Sequence, residues 1–151
     1  MDTFTESQRF RQGWVWIILG FITLILVGSL YAADTWNDPM LLIEFIPPLL
    51  ISLLLYSWRL DTRLDSEGIH YRIFPILSWR TISWNTVQSV SVSEYSFVGY
   101  GIRWGFAGWV YNIAGNKGLR IIRPNGRQIT IGTQRPDELQ HFLDRQYVQL
   151  S

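Results

Sequence analysis

The pentapeptide Arg123-Pro124-Asn125-Gly126-Arg127 carries the most explicit chemistry in the chain. Pro124 pre-sets the first central position of a type I turn, and Gly126 supplies the left-handed residue of a closing bulge. The flanking segments must then pair as a hairpin, with Arg123 opposite Arg127, Ile121 opposite Ile129 and Leu119 opposite Ile131. Two guanidinium groups facing each other repel, and either an acidic neighbour or a bound anion would relieve them. Their forked donors match carboxylates and phosphates. Upstream, "YGIRWGFAGWVY" (100–111) adds Arg103 together with Trp104, Phe106 and Trp109, set among glycines. Arg103, Arg123 and Arg127 are candidate contacts for an anionic lipid or a small anionic ligand. Trp104, Phe106 and Trp109 are candidates for a membrane-interface or partner contact; packing into the end of a core is the competing expectation.

Other chemistries find little support. The chain has no cysteine, which removes disulfides, thiolate nucleophiles and zinc–thiolate sites. His70 and His141 are the only imidazoles, and neither has a second ligand at metal spacing, so neither a metal nor a cofactor is expected. The Gly-x-Gly of "GYGIRWG" is not followed by a βαβ unit, and no serine has a suggestive His/Asp partner. A non-enzymatic protein is expected. From Arg59 onward there are eleven Lys/Arg against seven Asp/Glu, too modest an excess to suggest nucleic-acid binding.

The elements that position these residues begin with two apolar runs. Residues 13–33 contain no charge and have the length of a membrane-crossing helix. The run exceeds a typical signal-peptide core and lacks the small–x–small cleavage spacing, so a retained span is expected. Residues 39–58 form a second candidate span, expected to kink at Pro47-Pro48 and carrying Glu44 in its first turns. Arg9 and Arg11 precede the pair, Arg59 and Arg63 follow it, and the turn at 34–38 is acidic. The positive-inside rule then places both termini in the cytoplasm, in a multi-pass protein of the cell (inner) membrane. Trp14, Trp16, Trp36 and Trp58 suit interfacial anchors, and Gly20 and Gly28 share a face where a second helix can approach.

After Arg59 the apolar period changes from helical to two. Ile69, Tyr71 and Ile73 fall on one face of a strand, with His70, Arg72 and Phe74 on the other. Further short strands at hairpin spacing predict an antiparallel, meander-like sheet. "RPDELQHFLDRQYVQL" reads as a helix opened by Pro136, with Asp137 and Glu138 at its positive end. Its apolar stripe is Leu139, Phe142, Leu143, Tyr147 and Leu150. The expected organisation is a cytoplasmic tail at 1–12, spans at 13–33 and 39–58 joined by the external turn 34–38, and a cytoplasmic domain at 59–151.

"SEGIHYRIFP", "ISWNTVQSVSV", "GYGIRW" (99–104) and above all "GNKGLRIIRPNGRQITIGTQRPDEL" resemble the membrane-anchored bacterial pleckstrin-homology-like (PH-like) domain family. The resemblance covers about residues 60–147 and, through the helical pair, nearly the whole chain. It implies an α+β membrane protein: a two-helix transmembrane hairpin, then a PH-like, partly open antiparallel β-barrel of about seven strands capped by the C-terminal helix. It implies no catalytic residues. The first hairpin, "DSEG", is acidic and lacks the Lys/Arg cluster of lipid-binding eukaryotic relatives. A scaffold or interaction module at the cytoplasmic face, engaging a protein partner or itself, is the function expected first. Binding of anionic lipid or a small anion is the alternative.

Overall fold

In a computed structural model, which describes residues 3–33, 43–95, 101–105 and 108–150, the chain is α+β and divides into two compact units. One unit joins residues 1–9 to 59–151, and the other is Phe10–Trp58.

The Phe10–Trp58 unit holds α1 (Gly13–Ala32) and α2 (Ile46–Ser57). Twenty residues of α1 rise about 30 Å, the thickness of a bilayer's hydrocarbon core. Its apolar side chains are exposed nearly throughout, with Leu30 the buried exception. Among the described residues it is the only helix long and apolar enough to cross a membrane. The expected second span is not present in that form. α2 has twelve residues, about 18 Å, and is preceded by a single 3-10 turn at 43–45 that contains Glu44. Pro47 and Pro48 do not kink a longer helix. They lie in the first turn of α2, where a missing N–H costs nothing because no intrahelical acceptor is waiting for it. Residues 34–38 and 39–42 lie outside the described residues. A Cβ at Gly20 or Gly28 would meet nothing within 4 Å, so the anticipated close helix approach at that face is not found.

The other unit contains nine strands and a helix among the described residues. The first sheet is a meander of β1 (Phe4–Arg9), β2 (Arg59–Leu64), β3 (Gly68–Phe74) and β4 (Leu77–Ser83), in that order. The second contains β5 (Ser89–Glu94), β6 (Gly101–Gly105), β7 (Gly108–Asn112), β8 (Lys117–Ile122) and β9 (Gln128–Gly132), in the order β5-β8-β9-β7-β6. They remain two open sheets rather than the single, partly open antiparallel barrel that was expected. A further correction is that β7 runs parallel to β9.

The segment expected to be an N-terminal tail supplies an edge strand. β1 pairs with β2 from Phe4↔Leu64 to Arg9↔Arg59. Its inward residues are Phe4, Glu6 and Gln8, all buried. Phe4 packs against Phe142, with ring centroids 6.3 Å apart. Glu6 accepts hydrogen bonds from the Thr133 hydroxyl at 2.6 Å and the Gln134 N–H at 2.7 Å, while Gln8 donates to the Gly132 carbonyl at 2.6 Å. Two polar residues at inward positions hid this strand from an apolar-periodicity reading.

The core is formed by Leu60, Leu64, Ile69, Ile73 and Ile82 from the first sheet and Leu119, Ile121 and Ile131 from the second. Leu139, Phe142 and Leu143 complete it from α3 (Pro136–Leu150). Tyr71 and Tyr111 meet between the sheets with centroids 5.0 Å apart. Burial, followed by its interaction with Tyr111, raises the pKa of the Tyr71 hydroxyl well above that of a free tyrosine.

Candidate functional site

The two hairpins of the second sheet build the site. In the β8–β9 hairpin the Arg123 N–H donates to the Arg127 carbonyl at 3.0 Å, and Gly126 has φ +75°. The Asn125 side chain accepts from the Arg127 N–H at 3.0 Å. The register is Leu119↔Ile131 and Ile121↔Ile129, as the turn residues require. Arg123 and Arg127 therefore stand together at the tip.

Residues 100–111 are not a core-filling connection but largely a hairpin of their own. β6 and β7 pair with Trp104↔Trp109 and Gly105↔Gly108. The indoles meet edge to face, with centroids 5.2 Å apart and planes at 88°. Trp104 is 69% exposed and Trp109 43%, which decides against barrel-end packing for this pair. Trp109 also stacks on Tyr111 at 6.4 Å.

The parallel pairing unites the two hairpins. β7 begins just after one tip and β9 just after the other, and the register Gly108↔Gln128, Trp109↔Ile129 sets these beginnings side by side. Only glycine fits at 108: its φ is +138°, and a Cβ there would lie 2.0 Å from the Gln128 carbonyl oxygen. The result is a concavity of about 520 Å³ lined by Trp104, Trp109, Arg123, Arg127, Gln128 and Ile129, with Gly108 and Gly126 in its wall.

Of the six residues singled out in the sequence, Trp104, Trp109, Arg123 and Arg127 come together here. Arg103 does not line the concavity. It alternates to the other face of β6, where its charge opposes the burial that pushes the Tyr95 hydroxyl up to about 12. Phe106 lies outside the described residues. Gln128 and Ile129 were missed; the signal lay in their position directly after the turn, but using it required the parallel pair.

Among the described residues the lining contains no carboxylate, imidazole or hydroxyl side chain. Among the described residues neither Arg123 nor Arg127 has a carboxylate within ion-pair distance, and the buried Nε of Arg123 has no hydrogen-bond partner. The acidic neighbour proposed to offset the arginine pair is thus not found. Such a surface offers forked donors beside two aromatic faces, a combination suited to an anionic group carried on apolar or planar structure.

A second cluster corrects the expectation that His70 lacks potential co-ligands. Asp65, Glu67 and His70 offer ligand atoms within 4.8 Å of one another. Asp65 is already committed, however. Its Oδ1 accepts from the Glu67 N–H at 3.0 Å, the Gly68 N–H at 3.3 Å and His70 Nε2 at 3.1 Å, while Arg63 pairs with Oδ2 at 3.1 Å. His70 Nδ1 lies 2.9 Å from the Thr81 hydroxyl. Burial of Asp65 opposes its ionisation, but the hydrogen bonds from His70, Glu67 and Gly68 prevail and hold its carboxyl below the usual value. This arrangement braces the β2–β3 turn.

No protein-family model, curated protein or solved structure matches this chain.

Proposed function

We propose that the protein is a non-enzymatic interaction module tethered at the cytoplasmic face of a membrane, and that the Trp104/Trp109–Arg123/Arg127 concavity takes an acidic segment of a protein partner. One observation carries the reading: parallel β7–β9 pairing gathers two exposed indoles and two arginines without carboxylate partners around one concavity. Desolvated arginines and aromatic anchors are the side chains that most often dominate protein interfaces. The membrane tether rests on α1, and the cytoplasmic orientation on the arginine flanks. The PH-like reading rests on the sequence resemblance alone.

Anionic lipid or a small anion is the second reading, favoured by the unpartnered Arg123 Nε. Both share the same chemistry and differ in its source. Full-length protein in detergent should capture a protein partner from native membranes, and Arg123→Glu with Arg127→Glu should abolish that capture. Capture unaffected by the double substitution would reject the concavity as the partner site. Binding only to vesicles containing phosphatidylserine, with no captured protein, would move the reading to lipid.

A further inference from the structure

A second apolar patch lies in the same unit, away from the concavity. Among the described residues, apart from Trp104 and Trp109, the exposed large apolar side chains of this unit are Phe74 at 44%, Ile76 at 54% and Trp79 at 49%. All three belong to the β3–β4 hairpin. The two aromatic ones each carry a cation: the Arg59 guanidinium lies 5.3 Å from the Phe74 ring centroid and that of Arg72 4.8 Å from Trp79. Asp61 pairs with both arginines, at 3.2 Å to Arg59 and 2.6 Å to Arg72. Arg9 has no carboxylate partner among the described residues.

The register fixes where this patch stands. Arg9 pairs with Arg59 and Arg59 with Phe74, forming the last rung of the first sheet. Beyond that rung, β1 continues toward α1, β2 arrives from α2, and β3 turns over through Pro75 and Ile76. Only Trp58 separates α2 from Arg59, and Phe10–Gln12 separate Arg9 from α1. These links span at most about 3.5 Å per residue, while each headgroup layer is roughly 5–7 Å deep. Neighbouring strands are about 4.8 Å apart, so the end of β3 at Phe74 stands one strand spacing from the start of β2 at Arg59.

We infer that the β3–β4 tip is a membrane-interface anchor: Phe74 and Ile76 enter the headgroup–acyl boundary of the bilayer that holds α1, Trp79 lies at headgroup level, and Arg9 and Arg59 face lipid phosphates. This rests on the proposed reading of α1 as a span. Aromatic side chains carrying arginine beside an exposed aliphatic one match the composition of membrane interfaces, where rings sit among headgroups and basic groups meet anionic lipid. The anchor would fix the domain's orientation on the membrane, leaving the partner-binding concavity to a different hairpin.

The absence of cysteine allows a clean test. In the full-length protein, reconstituted in vesicles of phosphatidylcholine and phosphatidylserine, I76C would be labelled with an environment-sensitive fluorophore. Q140C, on the exposed face of α3, serves as the comparison. Lipids spin-labelled near the carbonyl level should quench the label at position 76 and leave that at 140 unaffected. No quenching at 76 in protein that resists an alkaline wash would overturn the anchor alone, as would equal quenching at both positions. Release of the protein by the wash would overturn the span reading and the anchor with it.

Discussion

The Phe10 N–H donates to the Trp58 carbonyl at 3.2 Å, and the two rings stack with centroids 6.1 Å apart and planes at 15°. This pair closes the base of the helical excursion, so the chain leaves and returns at one point. The rung before it, Arg9↔Arg59, belongs to the β-sheet unit. The apolar helices are therefore an insertion between two hydrogen-bonded strands, not a leader placed ahead of a complete domain.

An insertion can be removed where its two ends meet. A chain consisting of residues 59–151 alone should lack a cooperative thermal transition, because Phe4, Glu6 and Gln8 would be missing from buried positions. Joining residues 3–9 to 59–151 through an Asn-Gly turn should restore one, since the antiparallel ladder already runs to Arg9↔Arg59. Cooperative unfolding of 59–151 alone would show that β1 is dispensable.

The β2–β3 turn should make stability depend on acidity. The folded Asp65 carboxyl titrates below its ordinary value of about 3.9, so its stabilising contribution is fully present above that value. It is lost as pH falls through the lower, folded value. Asp65→Asn should therefore unfold at lower denaturant than the parent at neutral pH, and the gap should close as both are taken toward strong acid. A gap that stays constant across that range would contradict the assignment.

Some of this architecture was open to reading from local residues. "RPNGR" fixed the turn, the register of β8 with β9 and the juxtaposition of Arg123 with Arg127, because bulge and turn conformations are short-range properties. Ile69, Tyr71 and Ile73 declared the buried face of β3 by strict alternation. β1 was not legible, since Glu6 and Gln8 find their partners in the loop at 132–134, more than a hundred positions away. The parallel β7–β9 pair was equally hidden. No local pattern states which strand edge another strand will choose, and it is this pairing that brings the tryptophans to the arginines.

That pairing can be tested at its tightest point. Gly108→Ala should destabilise the β-sheet unit by more than about 1 kcal/mol and alter the near-ultraviolet circular dichroism of the Trp104–Trp109 pair. Gly126→Ala is the control: its φ is +75° but a Cβ would meet nothing within 4 Å. It should cost about 1–2 kcal/mol for the left-handed conformation while leaving the tryptophan signal unchanged. Identical spectra for the two variants would mean that close approach at Gly108 does not hold the concavity together.

The arginine pair separates stability from binding. Arg127→Glu replaces a like-charge pair across the hairpin with an attractive one, and no carboxylate among the described residues loses a partner by the change. The hairpin should hold or gain roughly 0.2–1 kcal/mol, read from denaturant unfolding of the joined domain. Recognition should move the opposite way, because the substitution puts negative charge where an acidic partner must dock. Under the lipid reading the parent domain should bind anionic vesicles, lose that binding on Arg127→Glu, and lose it progressively as salt screens the surface. Under the protein-partner reading any vesicle binding, including that through the β3–β4 tip, is unchanged by Arg127→Glu, while capture of the partner by the full-length protein is abolished. A variant that is more stable yet binding-deficient identifies the repulsion as a feature kept for recognition. A variant that keeps both vesicle and partner binding removes Arg127 from the site.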